Sequence, residues 1–224
     1  MNESEFSFEE ILRVAVTQPD LRKGARTEAR IRWVACMLLG RTSLLDLKVQ
    51  DICTEAKIAQ GTFYQYFPDR DTLLRMLLQE FVRFLYQTMI SAARGSRDHA
   101  TSIEATTRVY CRLFERNRGL MKCLLNHYES FPRARDILHE FNASWIQMTV
   151  NTLMKRQATG PDTVNLPLWR TCYALGGMVD QYLASIYLYE DPYVREVAGD
   201  QDAIVETLSR IWRVILQEEL SHAD

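Results

Sequence analysis

The chain has 224 residues, of which 47% are hydrophobic and 25% are charged, with a formal net charge of −2 at pH 7. These values are typical of a soluble globular protein with a sizeable core. No apolar run reaches the roughly 20 residues that a membrane-spanning helix needs, and the acidic N-terminus lacks the features of a signal peptide. We therefore expect a cytoplasmic protein with no membrane partner.

Helical periodicity dominates the chain and strand signals are scarce, so we predict an all-α fold. Residues 6–16 predict a short helix before a loose connector. In that connector Arg22, Lys23 and Arg26 form a basic arm, which is either a solvated linker or a contact to phosphate or the minor groove. The next helix is expected to begin with Thr27 as its N-cap.

Residues 47–74 show a helix-turn-helix pattern. Val49, Ile52 and Cys53 predict the apolar face of a short helix, and a second helix is expected to begin near Ala59. Pro68 ends that helix, because proline lacks a backbone donor. Small, polar and aromatic side chains on an exposed second helix are typical of a helix that enters the DNA major groove. Residues 20–75 also hold ten Lys/Arg and seven Asp/Glu, a balance of +3 that favours phosphate binding.

The order and spacing of four segments carry a family resemblance. They are Val49-Gln-Asp-Ile52, Ala56-Lys-Ile58, Gly61-Thr-Phe-Tyr-Gln-Tyr-Phe67 and Arg70-Asp-Thr-Leu-Leu74. This run resembles the DNA-binding domain of the TetR family of bacterial transcription regulators. Two positions depart from the family pattern. Lys57 replaces a usual glycine, so a positive φ is expected there at some cost, and Ala59 replaces the usual Ser or Thr cap.

The resemblance implies which residues contact DNA. It places phosphate contacts at helix starts and at Tyr64. It places base contacts at the glutamines and at Thr62, because an amide can pair with adenine and a methyl group can contact the thymine methyl. Gly61 would allow close approach, and Tyr66 is either core or a backbone contact. The expected DNA-binding residues are Arg26, Thr27, Lys48, Gln50, Gln60, Gly61, Thr62, Tyr64, Gln65, Tyr66 and Arg70.

The remaining residues predict a larger helical body. Asp69 is expected to cap a long helix that continues through Ile90, followed by a break at residues 94–99. Further helices are predicted at 101–117, 120–130, 134–157, 168–189 and 202–220. We divide the chain into an N-terminal extension (1–24), a three-helix helix-turn-helix DNA-binding domain (25–74) and an effector-binding and dimerisation domain (75–224).

Aromatic residues and methionines are frequent in the body. They predict either a solid core or a mainly apolar cavity with a few polar anchors. The family resemblance favours a cavity for a small effector. Asp180 lies in an apolar helix, where it should pair with Arg108 or Arg112 or anchor a ligand. The candidate ligand-binding residues are Tyr110, Phe114, Leu124, His127, Tyr128, Phe141, Trp145, Met148, Tyr173, Gly177, Met178 and Asp180.

The last two predicted long helices are apolar on more than one face, so each needs two partners. One is its own subunit and the other is the same helix pair of a second subunit, as the resemblance also implies. Two recognition helices would then read a pseudo-palindromic operator. The candidate dimer-interface residues are Leu175, Val179, Leu183, Leu208, Ile211, Trp212 and Ile215.

The sequence offers no support for catalysis. Cys123 and His127 have the spacing of two metal ligands, but no third ligand has a supporting position, so no metal and no cofactor are expected. A P-loop, a dinucleotide-binding glycine pattern and a nucleophile elbow are missing. We therefore predict a homodimeric repressor, and not an enzyme, that a hydrophobic or amphipathic effector releases from DNA. The alternative is a DNA-binding regulator with a solid body, controlled by a protein partner.

Overall fold

The computed structural model describes residues 3–96, 98–126, 131–156 and 165–221. Within these ranges the chain forms eleven α-helices and no strand, which confirms the all-α class. The helices are α1 (Phe8–Val16), α2 (Lys23–Leu39), α3 (Val49–Ala56), α4 (Gln60–Tyr66), α5 (Arg70–Arg94), α6 (His99–Arg116), α7 (Arg118–Asn126), α8 (Pro132–Arg156), α9 (Leu166–Tyr187), α10 (Pro192–Ala198) and α11 (Gln201–Ser221). No described helix is both long enough and apolar enough to cross a membrane.

The chain folds as two compact units. The first comprises Met1–Leu85 and Leu113–Leu138, so α7 belongs with the helix-turn-helix and not with the body. This division differs from the sequence-based boundary at residue 74. Its physical basis is a close backbone approach: a Cβ on Gly119 of α7 would lie 2.4 Å from the carbonyl oxygen of Leu39 at the end of α2. Glycine lets these two helices meet where any side chain would collide.

The N-terminal segment is built into the core of this first unit. Buried Asn117 accepts a hydrogen bond from the Phe8 N–H at 2.8 Å and donates to the carbonyl oxygens of Phe6 (2.8 Å) and Leu113 (2.7 Å). The ring of Phe8 lies 5.6 Å from that of Phe81. The predicted helix over residues 6–16 is therefore correct from Phe8 onward, and residues before it form a 3₁₀ turn at Glu3–Phe6.

Helix α2 begins one turn earlier than the sequence suggested. It starts at Lys23, and Thr27 is not its N-cap, since the Thr27 hydroxyl donates to the Lys23 carbonyl within the helix at 3.1 Å. The Arg26 guanidinium donates to the carbonyls of Gln18 and Pro19 at 3.1 and 3.2 Å. These bonds fold the connector back onto α2, which extends the helix beyond the cap that the sequence offered.

The second unit comprises Tyr86–Arg112 and His139–Asp224. Its core packs the apolar faces of α8, α9 and α11 together, at Ile146, Val150, Leu153, Leu168, Cys172 and Leu216. The sequence missed α10, a short helix that starts with Pro192 and is capped by Asp191, whose carboxylate accepts from the N–H groups of Tyr193 and Val194. All five cysteines are free and buried.

Candidate functional site

The helix-turn-helix has the expected geometry at both unusual positions. Lys57 ends α3 in the left-handed conformation, with φ of 55° and ψ of 49°. The adjacent Ile58 N–H donates to the carbonyl of Cys53 at 3.0 Å, which closes the turn. Ala59 precedes α4 and supplies no side-chain cap. After α4, Asp69 caps α5 by accepting from the Thr72 N–H at 2.6 Å, as predicted.

Helix α4 separates a buried face from an exposed polar one. Phe63 is fully buried and its ring lies 5.8 Å from that of Phe67. On the other face Gln60, Gly61 and Gln65 are exposed, and Tyr64 is 53% exposed. The edge of the Phe63 ring meets the Tyr64 ring at 5.4 Å and 88°. The packed side therefore fixes α4, while amides and a phenol remain available to an external partner.

Gly61 is the position that most clearly indicates such a partner. A Cβ added there would meet no described atom within 4 Å, so packing within the chain does not require glycine. Glycine in a helix also costs about 1 kcal/mol relative to alanine. A bare backbone at the centre of an exposed polar face allows close approach by another molecule, and a nucleic-acid groove fits the amide and hydroxyl groups around it.

The second unit contains a cavity of about 430 Å³. This volume lies within the range of roughly 300 to 1,000 Å³ that small-molecule sites occupy. The wall comes from the end of α5 and from α6, α8, α9 and α11. It is largely apolar and aromatic, with Met89, Ile90, Phe141, Trp145, Ile146, Met148, Tyr173, Val179, Trp212 and Leu216 among its residues. Such a lining suits an organic molecule better than a metal ion or a phosphate.

Asp180 and Tyr110 form a hydrogen-bonded pair on the cavity wall. The Tyr110 hydroxyl donates to Asp180 Oδ1 at 2.5 Å. Burial raises the pKa of the Asp180 carboxyl to about 6, although the hydrogen bond from Tyr110 acts in the opposite direction. Burial also raises the pKa of the Tyr110 phenol well above its ordinary value, and the neighbouring Asp180 charge adds to that effect. The pair is therefore a carboxylate held by a neutral phenol.

Comparison with known proteins identifies the family. Residues 31–77 match the family model for bacterial regulatory proteins of the tetR family. Over 210 residues the chain is 26% identical to the HTH-type transcriptional regulator EthR of Mycobacterium tuberculosis, covering 88% of this chain and 94% of that protein. Residues 31–77 form a TetR-family DNA-binding domain, and the whole chain is similar to TetR-family regulators. It is therefore a non-enzymatic, DNA-binding transcriptional regulator.

Solved structures share the TetR-family fold. A candidate transcriptional regulator from Pseudomonas aeruginosa PAO1 has a TM-score of 0.72 at 12% identity, covering 91% of this chain and 96% of that chain. The fatty acid degradation regulator FadR from Bacillus halodurans has a TM-score of 0.65 at 17% identity, covering 83% and 93%. At these identities the likeness concerns the fold alone.

The TetR-family head keeps most of the predicted DNA-binding residues at its surface. Lys48, Gln50, Gln60, Gly61, Tyr64 and Gln65 are exposed, and Thr62 is half-buried on α4. Tyr66 is also half-buried, and its hydroxyl would lie 3.5 Å from a Cβ on Gly24. The exposed Lys23, which the predicted set omitted, directly precedes Gly24. The omission follows from the late predicted start of α2.

Three of the predicted DNA-contact residues make hydrogen bonds within this TetR-family head. The Arg70 guanidinium donates to the carbonyl of Leu47 at 3.0 Å and pairs with Asp71 at 3.0 Å. It thus links the segment before α3 to the start of α5, and its side chain remains partly exposed. Arg26 binds the connector, and Thr27 lies inside α2, as described above.

Seven of the predicted ligand residues line the cavity of this TetR-family body. They are Tyr110, Phe141, Trp145, Met148, Tyr173, Gly177 and Asp180. Phe114 and Leu124 are fully buried in the first unit, and Met178 is half-buried on α9 outside the lining. His127 and Tyr128 lie outside the described residues. The sequence missed residues such as Met89 and Ile90, because the ligand candidates were chosen from the aromatic-rich helices that follow α5.

The predicted partners of Asp180 are wrong. Arg108 pairs with Asp202 and with Glu104, and Arg112 donates to Gln201 at 3.3 Å. Residues four apart share a helix face, whereas a residue two positions along points to the opposite side. Tyr110 therefore meets Asp180 while the two arginines meet the beginning of α11. Helical periodicity showed that Tyr110 lies on a different face of α6 from Arg108 and Arg112. It did not show which of these faces α9 would contact.

The predicted dimer-interface residues divide into two groups. Leu183 and Leu208 are 0% and 1% exposed, and Leu175 and Val179 are also buried, so these four complete the core of the subunit. Ile211, Trp212 and Ile215 are half-buried on α11, and Val214 beside them is 47% exposed. Val179 and Trp212 also line the cavity, whereas the partly exposed Ile211 and Ile215 lie beside Val214. The wide apolar stripe therefore serves packing and the cavity within one subunit and leaves a smaller exposed part.

Proposed function

We propose that this TetR-family regulator is a homodimeric repressor, released from a pseudo-palindromic operator by a small hydrophobic or amphipathic molecule. The observation that supports effector control is the cavity of about 430 Å³ with aromatic walls and a single hydrogen-bonded carboxylate–phenol pair. A well-packed core would have filled this volume with side chains, since interiors leave few voids larger than a water molecule.

The proposed DNA contacts follow from the exposed face of α4. The amides of Gln60 and Gln65 are suited to base edges, because an amide can pair with adenine through a donor and an acceptor. The exposed Tyr64 hydroxyl is suited to a phosphate, which fixes position without reading sequence. Gly61 lets this face enter the groove. One such helix reads a half-site, so a two-fold pair of subunits is needed for a full operator.

The proposed dimer uses the outward-facing part of α9 and α11. Val214 is nearly half exposed and Ile211 and Ile215 are partly exposed on the same side of α11. On α9 the exposed Ala174 would allow close approach of a second helix. Apolar and small side chains at the surface of two adjacent helices are typical of a symmetric helical interface.

The proposed link between ligand and DNA is helix α5. Its first residue, Arg70, holds the segment before α3, and its last turns supply Met89, Ile90 and Ala93 to the cavity wall. A ligand that displaces those last turns would act on the same helix that positions the head. Release requires the ligand to bind the DNA-incompetent form more tightly, and DNA must then weaken ligand binding by the same factor.

An operator selected from a random DNA pool by the full-length protein provides the test. Binding at fixed salt is measured by fluorescence anisotropy for the selected site and for random DNA of equal length. We expect a clear preference, with two subunits or a multiple of two per site. Equal, strongly salt-dependent binding to both DNAs would reject sequence-specific repression, because only phosphate contacts would remain.

Two variants separate the proposed roles on α4. Tyr64→Phe should weaken binding to operator and random DNA by the same factor, because it removes a phosphate contact. Gln60→Ala should weaken operator binding by about 1 to 3 kcal/mol and leave random DNA unchanged, because it removes a base contact. Gln79→Ala, an exposed glutamine on α5, is the matched control. Identical effects of all three variants on both DNAs would contradict the assignment.

A further inference from the structure

Hydroxyl groups on the cavity wall present acceptors to a ligand. The side-chain oxygens of Ser96, Thr149 and Thr152 donate to backbone carbonyls four residues earlier, at 3.1, 3.0 and 2.8 Å. Each hydroxyl has a single proton, so once it is donated the oxygen offers lone pairs only. A ligand that meets this part of the wall is therefore favoured if it brings hydrogen-bond donors.

Asp180 adds a negative charge with no protein cation to balance it. Its Oδ1 accepts from Tyr110, and among the described residues burial and this hydrogen bond are the two influences on its pKa, with no contribution from a Lys or Arg. Arg94 also lines the cavity, but it is exposed at the end of α5. A partly buried carboxylate without a cation is unfavourable, because its charge has lost water without gaining a partner.

Aromatic rings form a further part of the cavity wall. Phe141, Trp145, Tyr173 and Trp212 line the same cavity. Ring faces bind apolar groups and also attract cations, with contributions that increase when the cation is removed from water. The wall thus combines a carboxylate, acceptor oxygens and aromatic faces, and each of these features favours positive charge over negative charge.

We infer that the cavity binds a monocationic amphiphile, with its ammonium group on Asp180 and its aromatic or alkyl body among the rings. This inference rests on the proposed effector function and narrows the class of ligand. The ammonium group would supply the counter-charge to Asp180 and hydrogen-bond donors to the hydroxyl oxygens of the wall. A carboxylate ligand of the same shape would place a like charge beside Asp180 and acceptors against acceptors.

The test compares three small molecules with one shared phenylbutyl body: 4-phenylbutylamine, 4-phenyl-1-butanol and 4-phenylbutyrate. Binding to the full-length protein is measured by isothermal titration calorimetry at pH 7.5. We expect the amine to bind roughly tenfold or more tightly than the alcohol, since charge-assisted hydrogen bonds are about twice as strong as neutral ones. The carboxylate should bind most weakly. No binding of the amine, or equal or tighter binding of either other molecule, would overturn the inference.

Asp180→Asn should remove the preference, so that amine and alcohol bind within about threefold of each other. Glu140→Gln, at an exposed position on α8, removes the same formal charge and should keep the preference. A persistent preference in Asp180→Asn would overturn the inference. If that variant fails to fold, the order of the three molecules on the unaltered protein decides alone.

Operator release separates this inference from the proposed function. If the amine binds preferentially but does not displace operator DNA, the inferred class of cationic ligand is supported and ligand-controlled repression is contradicted. If the alcohol or the carboxylate binds at least as tightly as the amine and displaces the operator, ligand-controlled repression is supported and the inferred ligand class is contradicted. Preferential binding of the amine together with displacement supports both.

Discussion

The Asp180→Asn substitution should stabilise the folded protein at neutral and alkaline pH. Burial raises the pKa of Asp180 from 3.8 to about 6, so ionisation costs more in the folded protein than in the unfolded chain. One pKa unit corresponds to about 1.36 kcal/mol. The ionised carboxylate therefore lowers the free energy of unfolding by about 3 kcal/mol at pH 8. Asparagine has the same shape, removes the charge and still accepts a hydrogen bond from Tyr110.

The pH dependence of this gain has a defined sign. Well below the unfolded-state pKa of 3.8 the carboxyl is protonated in folded and unfolded states alike, so it contributes no difference. As pH rises toward and through the folded-state pKa, the unaltered protein loses stability and the variant does not. At pH 5 about half of the difference, on the order of 1.5 kcal/mol, should be present.

Urea unfolding at pH 5 and pH 8, followed by far-ultraviolet circular dichroism, measures this gain. Protein concentration is held constant, because the stability of an oligomer depends on it. Glu140→Gln is the control for loss of a surface charge and should show no comparable gain. A variant with unchanged or lower stability at pH 8, or with the same gain at both pH values, would refute the reasoning about Asp180.

Three glycine-related predictions concern the first unit. Gly61→Ala should raise the free energy of unfolding by about 1 kcal/mol while weakening operator binding, and undiminished affinity in anisotropy titrations would remove Gly61 from the DNA surface. Lys57→Gly should stabilise by about 1 kcal/mol, because Lys57 has φ of 55°, and a lower midpoint in urea would contradict this. Gly119→Ala should destabilise by about 2 to 3 kcal/mol, since its Cβ would lie 2.4 Å from the Leu39 carbonyl, whereas Gly177→Ala, with no described atom within 4 Å, should not.

The sequence was most informative where local chemistry determines structure. The helix-turn-helix was predictable because the apolar spacing, Pro68 and the Asp69 cap act within a few residues of each other. The left-handed conformation at Lys57 was expected from the family resemblance, because that position usually holds glycine. The start of α2 could not be predicted in this way, because it depends on hydrogen bonds from Arg26 to carbonyls of the preceding connector.

Tertiary neighbours were the part that the sequence left open. Helical periodicity assigned Arg108, Tyr110 and Asp180 to faces of their helices, but the choice between arginine and tyrosine as partner depends on how α6 and α9 pack. Likewise, an apolar stripe containing Leu183 and Leu208 looks the same whether it meets its own subunit or another. Only the packed structure shows that both side chains are covered within one chain.

The hydrogen bonds of Asn117 have a consequence for how the protein is made. They join residues separated by 109 and 111 positions in the chain. During synthesis Phe6 and Phe8 leave the ribosome long before Asn117 does. Until Asn117 emerges, the core of the DNA-binding head is incomplete. Because chains fold in units as they emerge, we expect a nascent chain that stops before Asn117 to remain less protected from proteases than one that includes it. The DNA-binding head can therefore be completed only after about half of the whole chain has been translated.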